Sequence, residues 1–284
     1  MRIGAHVSSA GGISKSIDRA VEIGAEAIQL FCSPPQGWAY KPPPEDEVLA
    51  FREKSEETGI GPAFLHGIYL MNFGSPDPAL LAKSKGALAN YMECAAQIGA
   101  EGVIFHSGSH MGQGFEAALP QTVAALREVL DVAPEGPYLV IENCAGMGNH
   151  IGASFKQIGR IMEGLSSPRV KVCLDTQHSF AAGYDVSQAD TLDEAMTEFE
   201  SAIGLANLVA VHANDAKTPF ASGVDRHANI GEGHIGDAGF AVIMAHPAFR
   251  DVPFLLETPG EGKGPDRAQL DHVKAIRDAA GADG

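Results

Sequence analysis

Nine side chains able to hold a divalent cation recur at one kind of place in this sequence, directly after short aliphatic runs. Leu65 leads into His66, Phe105 into His106, Ile141 into Glu142, Val211 into His212 and Leu256 into Glu257. Another run leads into Asp175-Thr176-Gln177-His178, and Asp225-Arg226-His227 follows in the segment after His212. A lone histidine at the end of an apolar run is generally a hydrogen-bonded structural residue. Nine imidazoles and carboxylates in equivalent positions are not explained that way. Gathering four carboxylates costs several kcal/mol in repulsion and desolvation unless cations neutralise them, and few Lys or Arg lie nearby. With three or four donors per ion, nine donors suit two or three ions, especially if one carboxylate bridges. A donor set of nitrogen and oxygen without thiolate fits zinc or manganese. Asp225 and His227, at i and i+2 of an extended segment, can grip one ion. Asp175 and His178, three apart across a turn, can chelate one ion or serve two neighbours. Ions so held activate water and stabilise developing negative charge.

The elements that must position these residues alternate regularly. Strands are expected at Ile3–His6, Ala27–Phe31, Pro62–Leu65, Gly102–Phe105, Tyr138–Ile141, Val170–Leu174, Leu208–Val211 and Pro253–Leu256. Helical spacing falls between them at Ser14–Ile23, Asp46–Glu57, Pro78–Ile98 and Phe115–Val132, then at Phe155–Glu163, Leu192–Ile203, Ala238–Ala245 and Arg267–Ala279. Thr191-Leu192-Asp193-Glu194 reads as a capping signal. Strand-then-helix units, eight in number and about 35 residues apart, predict an α/β fold: a single (β/α)₈ TIM barrel, residues 1–284, with its metal site at the C-terminal face of the strands. A doubly wound open sheet is the rival, but no linker or composition shift marks a second domain. The segment Cys32–Pro44, rich in proline, follows the second strand and so belongs to the site face.

Composition closes off other classes. The chain of 284 residues carries 20 Lys+Arg against 36 Asp+Glu, a net charge of −16, with 45% hydrophobic residues. That is too apolar for disorder, and no apolar stretch is long enough to span a membrane. The N-terminus shows no secretory signal, and Cys32, Cys94, Cys144 and Cys173 form no C-x-x-C pair. A reducing cytoplasm is the expected location. The acidity argues against a non-specific nucleic-acid coat, though not against a nucleic-acid enzyme whose positive charge comes from bound metal.

Other motifs are weaker. Gly231-Glu232-Gly233-His234-Ile235-Gly236 matches a dinucleotide fingerprint, but Arg226–Ile230 does not read as the strand that must lead into it, so no nucleotide cofactor is expected. His6, His110, His150 and His234 are left over; His6 and His110 lie near the rim and are candidates to support the ligands. His246 and His272 fall in helical segments and read as surface residues. No G-x-S-x-G elbow supports a serine hydrolase.

In its longer motifs the chain resembles endonuclease IV, the metal-dependent apurinic/apyrimidinic endonuclease family 2, over nearly its whole length. The resemblance is carried by Ile3-Gly4-Ala5-His6-Val7-Ser8, Phe105-His106-Ser107-Gly108-Ser109-His110, Ile141-Glu142-Asn143 and Cys173-Leu174-Asp175-Thr176-Gln177-His178. It continues through Phe180-Ala181-Ala182-Gly183-Tyr184-Asp185, His212-Ala213-Asn214-Asp215-Ala216-Lys217, Val224-Asp225-Arg226-His227, Gly231-Glu232-Gly233 and Leu256-Glu257-Thr258. It implies three zinc ions per chain, with manganese as an alternative at one or more sites. His66, His106 and Glu142 would hold the first, Glu142, Asp175, His212 and Glu257 the second, and His178, Asp225 and His227 the third. Glu142 would also be the catalytic residue.

The implied activity is base-excision DNA repair: hydrolysis of the phosphodiester 5′ to an abasic site, leaving a 3′-hydroxyl and a 5′-deoxyribose phosphate, with removal of 3′-blocking groups beside it. The implied partner is damaged double-stranded DNA, bound by a monomer. Tyr69 and Trp38 match residues of the family's DNA-contacting loops, and Gln36 replaces the family's inserting arginine, which predicts a weaker or differently tuned grip. Lys217 and Arg226 are candidates for backbone phosphates. The alternatives are a divalent-metal-dependent sugar isomerase or epimerase on the same barrel, and a non-catalytic, metal-dependent binder of damaged DNA.

Overall fold

The computed structural model describes residues 1–281. In chain order the strands are β1 (Ile3–His6), β2 (Ile28–Leu30), β3 (Ala63–His66), β4 (Gly102–Phe105), β5 (Tyr138–Glu142), β6 (Val170–Asp175), β7 (Leu208–His212), β8 (Asp215–Ala216), β9 (His227–Ala228) and β10 (Phe254–Leu256). The helices are α1 (Lys15–Ile23), α2 (Glu45–Thr58), α3 (Pro78–Ile98), α4 (Phe115–Val132), α5 (Phe155–Leu165), α6 (Thr176–Ala182), α7 (Ala189–Ala202), α8 (Gly236–Ala245) and α9 (Arg267–Ala279). All strands except β8 and β9 pair in parallel as a closed barrel, in the order β1-β10-β7-β6-β5-β4-β3-β2. Closure leaves the eight barrel strands without an unpaired edge. Asp77, Ser154 and Asp266 cap the N-termini of α3, α5 and α9 with side-chain oxygens. The larger part of the core packs these helices against the outside of the barrel.

The interior is what positions the site. Alternate residues of a strand share a face. Ala27, Phe64, Ile104, Val140, Cys173, Ala210 and Leu255 form a separate apolar cluster inside the barrel. Gly4 occupies the corresponding position on β1, where an added Cβ would lie 2.2 Å from the Ala27 carbonyl oxygen, so only glycine fits. Two residues further along every strand the lining turns polar: His6, Gln29, His66, His106, Glu142, Asp175, His212 and Glu257. An apolar plug thus floors a ring of polar side chains at the C-terminal ends of the strands.

Several expectations are corrected. Helix α7 starts earlier than the expected Thr191 cap. It begins at Ala189 without a side-chain cap, and the Thr191 hydroxyl inside its first turn donates to the Asp185 carbonyl at 2.6 Å. The short α6, too brief to show periodicity, carries His178 in its first turn with Asp175 as its N-cap. The segment expected to hold no strand contains β9, paired antiparallel with β8. Among the described residues no helix is long and apolar enough to cross a membrane, and all four cysteines are free thiols.

Candidate metal centre

Glu142 lies at the middle of the polar ring, fully buried. Its Oε2 is 3.2 Å from His66 Nε2 and 3.4 Å from His106 Nε2. Its Oε1 is 3.0 Å from His212 Nδ1 and 3.1 Å from His178 Nδ1. One carboxylate therefore faces two separate sets of imidazoles. Around it the donor atoms gather into three groups, each within 4.8 Å: His66, His106 and Glu142; Glu142, Asp175, His212 and Glu257; and Asp175, His178 and His227. Asp225, read from sequence as a partner of His178 and His227, approaches from the open side. Its two oxygens lie 3.3 Å from His178 Nε2 and 3.4 Å from His227 Nε2. At this end two carboxylates, Asp175 and Asp225, flank the pair of imidazoles.

Four of the five histidines in these groups have one nitrogen engaged away from the centre, and in the fifth, His178, Nδ1 lies between the Asn143 carbonyl and Glu142 while Nε2 turns to Asp225. His66 Nδ1 contacts the Gly67 carbonyl at 2.7 Å, His178 Nδ1 the Asn143 carbonyl at 2.9 Å and His227 Nδ1 the Glu257 carbonyl at 3.4 Å. His106 Nδ1 contacts the Cys144 thiol at 3.5 Å, and His212 Nε2 contacts Gln29 Oε1 at 2.7 Å. A nitrogen that donates outward leaves the other with a lone pair turned inward, the arrangement that metal-ligating histidines adopt. Among the described residues His178 Nε2 and His227 Nε2 are buried with no hydrogen-bond partner; the Asp225 oxygens attract them but lie outside hydrogen-bond geometry. Buried ring nitrogens without partners need a proton or a cation. The residues present therefore fit a divalent metal.

The electrostatics say the same. Burial would raise the Glu142 carboxyl, but the facing His106 and His212, with hydrogen bonds from His178 and His212, hold it well below the usual carboxylate range. Burial lowers His178 and His212, yet both are driven well above the ordinary imidazole value. Asp175, Asp225 and Glu142 outweigh burial at His178, and Cys173, Glu257 and Glu142 do so at His212. His106, dominated by burial, falls to about 4. Asp225 falls to about 2 because His178, His227 and His106 overcome its burial. The cluster thus collects protons where cations would serve.

The glycine-rich segment 231–236 proves to be an anchor. The fully buried Asp215 accepts hydrogen bonds from the amides of Ala216, Gly231, Gly233, Ile235 and Gly236 at 2.8–3.3 Å. A Cβ on Gly233 would lie 2.4 Å from Asp215 Oδ1. The amides that a dinucleotide phosphate would need are engaged by this carboxylate.

The residues proposed to meet DNA lie in segments that follow β2, β3 and β7, and of them Tyr69 lines the cavity at the site. Tyr69 is exposed, with its ring centroid 5.6 Å from that of His66, and its amide donates to the Pro35 carbonyl at 3.2 Å. That bond ties the loop after β3 to the loop carrying Gln36, which is exposed, and Trp38, which is half-buried with Lys83 Nζ 5.9 Å from its ring centroid. Lys217 and Arg226 are exposed cross-strand neighbours, the Lys217 amide donating to the Arg226 carbonyl at 3.0 Å. Tyr69, His106, Cys144, His150, His178 and Asp225 line a cavity of about 200 Å³. Of the leftover histidines, His6 joins the ring and meets Gln29, whereas His110 Nδ1 accepts from the Gly114 amide at 3.2 Å, a local turn contact. His246 and His272 pair with Asp193 and Asp237. Sequence reading missed Gln29, Cys144, Asn143, Asn214 and Asp215. The alternation of strand faces would have found Gln29, two residues after Ala27.

A closed barrel crowned by shared carboxylates and imidazoles defines a class, and the xylose isomerase-like TIM barrel family matches residues 17–279. Within that class the comparisons are specific. The chain belongs to the endonuclease IV family: it is 39% identical over 260 residues to a probable endonuclease 4 of Halothermothrix orenii, covering 91% of this chain and 94% of that one. Endonuclease IV of Thermus thermophilus superposes with a TM-score of 0.85 at 32% identity, covering 100% of both chains. A D-tagatose 3-epimerase-like protein shares the fold alone, with a TM-score of 0.74 at 16% identity over 99% of this chain and 97% of that one.

Proposed function

We propose that this protein is a metal-dependent DNA-repair endonuclease that hydrolyses the phosphodiester 5′ to abasic sites in duplex DNA. The products would be a 3′-hydroxyl and a 5′-deoxyribose phosphate, and the same hydrolysis would clear 3′-blocking groups. The observation that carries the reading is the set of three donor groups joined through Glu142 and Asp175, with two buried imidazole nitrogens lacking partners. Three zinc ions are the cofactor the donors suit best. His66, His106 and Glu142 would hold one, Glu142, Asp175, His212 and Glu257 a second, and His178, His227 and Asp225 a third, with Asp175 beside it. Bound zinc supplies water activated near neutral pH and offsets charge on the phosphoryl and departing oxygens.

The protein's own residues do the rest. Glu142 spaces the donor groups, and Asp175, capping α6, fixes His178 through the backbone at 2.7 Å. Three divalent charges against four carboxylates would leave the rim net positive on a chain of −16, drawing phosphate there and not to the general surface. Tyr69 and the Gln36 loop, tied to each other, would enter the duplex together. The cavity beyond Tyr69 receives the sugar, and a nucleotide without a base costs less to flip out of the stack. Lys217 and Arg226 would meet the backbone. The test is Glu142→Gln against wild type. Turnover of abasic duplex should be lost while DNA affinity is kept; full turnover in the variant would sink the reading, and isomerisation of sugars by a wild type that leaves DNA intact would replace it.

A further inference from the structure

The ring of polar residues at the top of the barrel holds one neutral amide, Gln29, fully buried on β2. Its Nε2 donates to Glu257 Oε1 at 2.6 Å and contacts His6 Nδ1 at 2.9 Å, and its Oε1 is 2.7 Å from His212 Nε2. These contacts form a chain of requirements. A carboxylate is acceptor-only, so the amide atom facing Glu257 must be the NH₂. The carbonyl oxygen is then forced onto His212, which must present an Nε2–H. The neutral ring of His212 therefore carries its lone pair on Nδ1, and that atom points to Glu142 Oε1 at 3.0 Å and Glu257 Oε2 at 3.3 Å.

On the opposite side Asn214 Nδ2 donates to Asp175 Oδ2 at 2.7 Å and to Glu257 Oε2 at 3.3 Å. His212 ends β7 and Glu257 directly follows the neighbouring strand β10, while Gln29 reaches them from β2 on the far side of β1. Of the five histidines in the donor groups, His212 is the one whose outward nitrogen rests on a side-chain amide. We infer that Gln29 is a positioning residue: one amide orients both His212 and Glu257 and commits His212 to bind metal through Nδ1. This deepens the metal reading proposed above and rests on it.

The experiment uses zinc alone as the probe. Wild type and Gln29→Met, which keeps the length but removes both hydrogen-bonding ends, are loaded with zinc and titrated with a chromophoric chelator, with thermal melting of each metal-free protein as the folding control. In Gln29→Met one zinc should be held 10- to 100-fold more weakly, the usual effect of removing a partner of a ligand, while the others keep their affinity. In ¹⁵N-histidine-labelled, zinc-loaded wild type, His212 should show a protonated Nε2 and a coordinated Nδ1. Unchanged affinity at every site in a folded Gln29→Met would overturn the inference, as would coordination of His212 through Nε2. The second readout needs no variant and decides the matter even if Gln29→Met fails to fold. Failure of wild type to take up zinc would remove the metal reading itself, an outcome distinct from zinc bound without dependence on Gln29.

Discussion

Asp215→Ala is the perturbation whose cost the structure lets us work out. The carboxylate takes five backbone amides, and removing it strands them unequally. The Ala216 and Ile235 amides are in buried hydrogen bonds, whereas those of Gly231, Gly233 and Gly236 are part-buried. The part-buried amides can turn to water, so the penalty falls mainly on the two buried ones, at about 1–3 kcal/mol each. A loss of about 4 kcal/mol follows, which for a domain of this size lowers Tm by about 10 °C.

The effect should not stay local. Asp215 lies in β8 opposite Ala228 of β9, beside His227. Loosening that pairing releases His227 and the adjoining Asp225, so the variant should hold one zinc fewer than wild type while His66, His106, Glu142, His212 and Glu257 keep theirs. Calorimetry gives the first number and metal analysis after gel filtration the second. A Tm within about 2 °C of wild type, together with full zinc content, would refute the reasoning.

Two further outcomes follow from the same geometry. Gln36→Arg, on the exposed loop tied to Tyr69, should tighten binding to abasic duplex and steepen the log–log salt dependence by about 0.9, the increment for one added phosphate contact; unchanged affinity and slope in a fluorescence-anisotropy titration would remove Gln36 from the DNA face. Zinc uptake should release protons. His178 and His212 are raised well above the ordinary imidazole value by the carboxylates facing them, and a ligand must be the neutral ring, so binding displaces protons that these rings hold in the metal-free protein. Affinity should therefore rise with pH, and calorimetry in buffers of different ionisation enthalpy should show the release; none at pH 7 would contradict the assignment.

The barrel was legible because its strands are short apolar runs separated by segments of helical spacing, so α3, α4 and α9 fall where their sequences place them. The ring was legible because charged groups at the ends of apolar runs are conspicuous. What stayed hidden was neutral or local. Gln29 carries no charge, and its meaning depends on β2 lying near β7 and β10, a fact of barrel closure. Asp175 and His178 looked like a turn because α6 is only seven residues long. The glycine-rich segment imitates a phosphate loop in composition, and only the position of Asp215 beneath it, sixteen residues earlier than Gly231, shows where its amides go. Asp175 beside His178 and His227 could not be read from spacing, since α6 and the β8–β9 hairpin together bring them to one place.

The central claim is hydrolysis at an abasic site by a metal-loaded rim. It is tested most directly by incubating zinc-loaded protein with an end-labelled duplex containing one reduced abasic site, with and without chelator, and sizing both product ends. The account predicts a chelator-sensitive cut immediately 5′ to the lesion, leaving a 3′-hydroxyl that a polymerase extends. An intact duplex with fully loaded protein, or a cut indifferent to chelator, would contradict it.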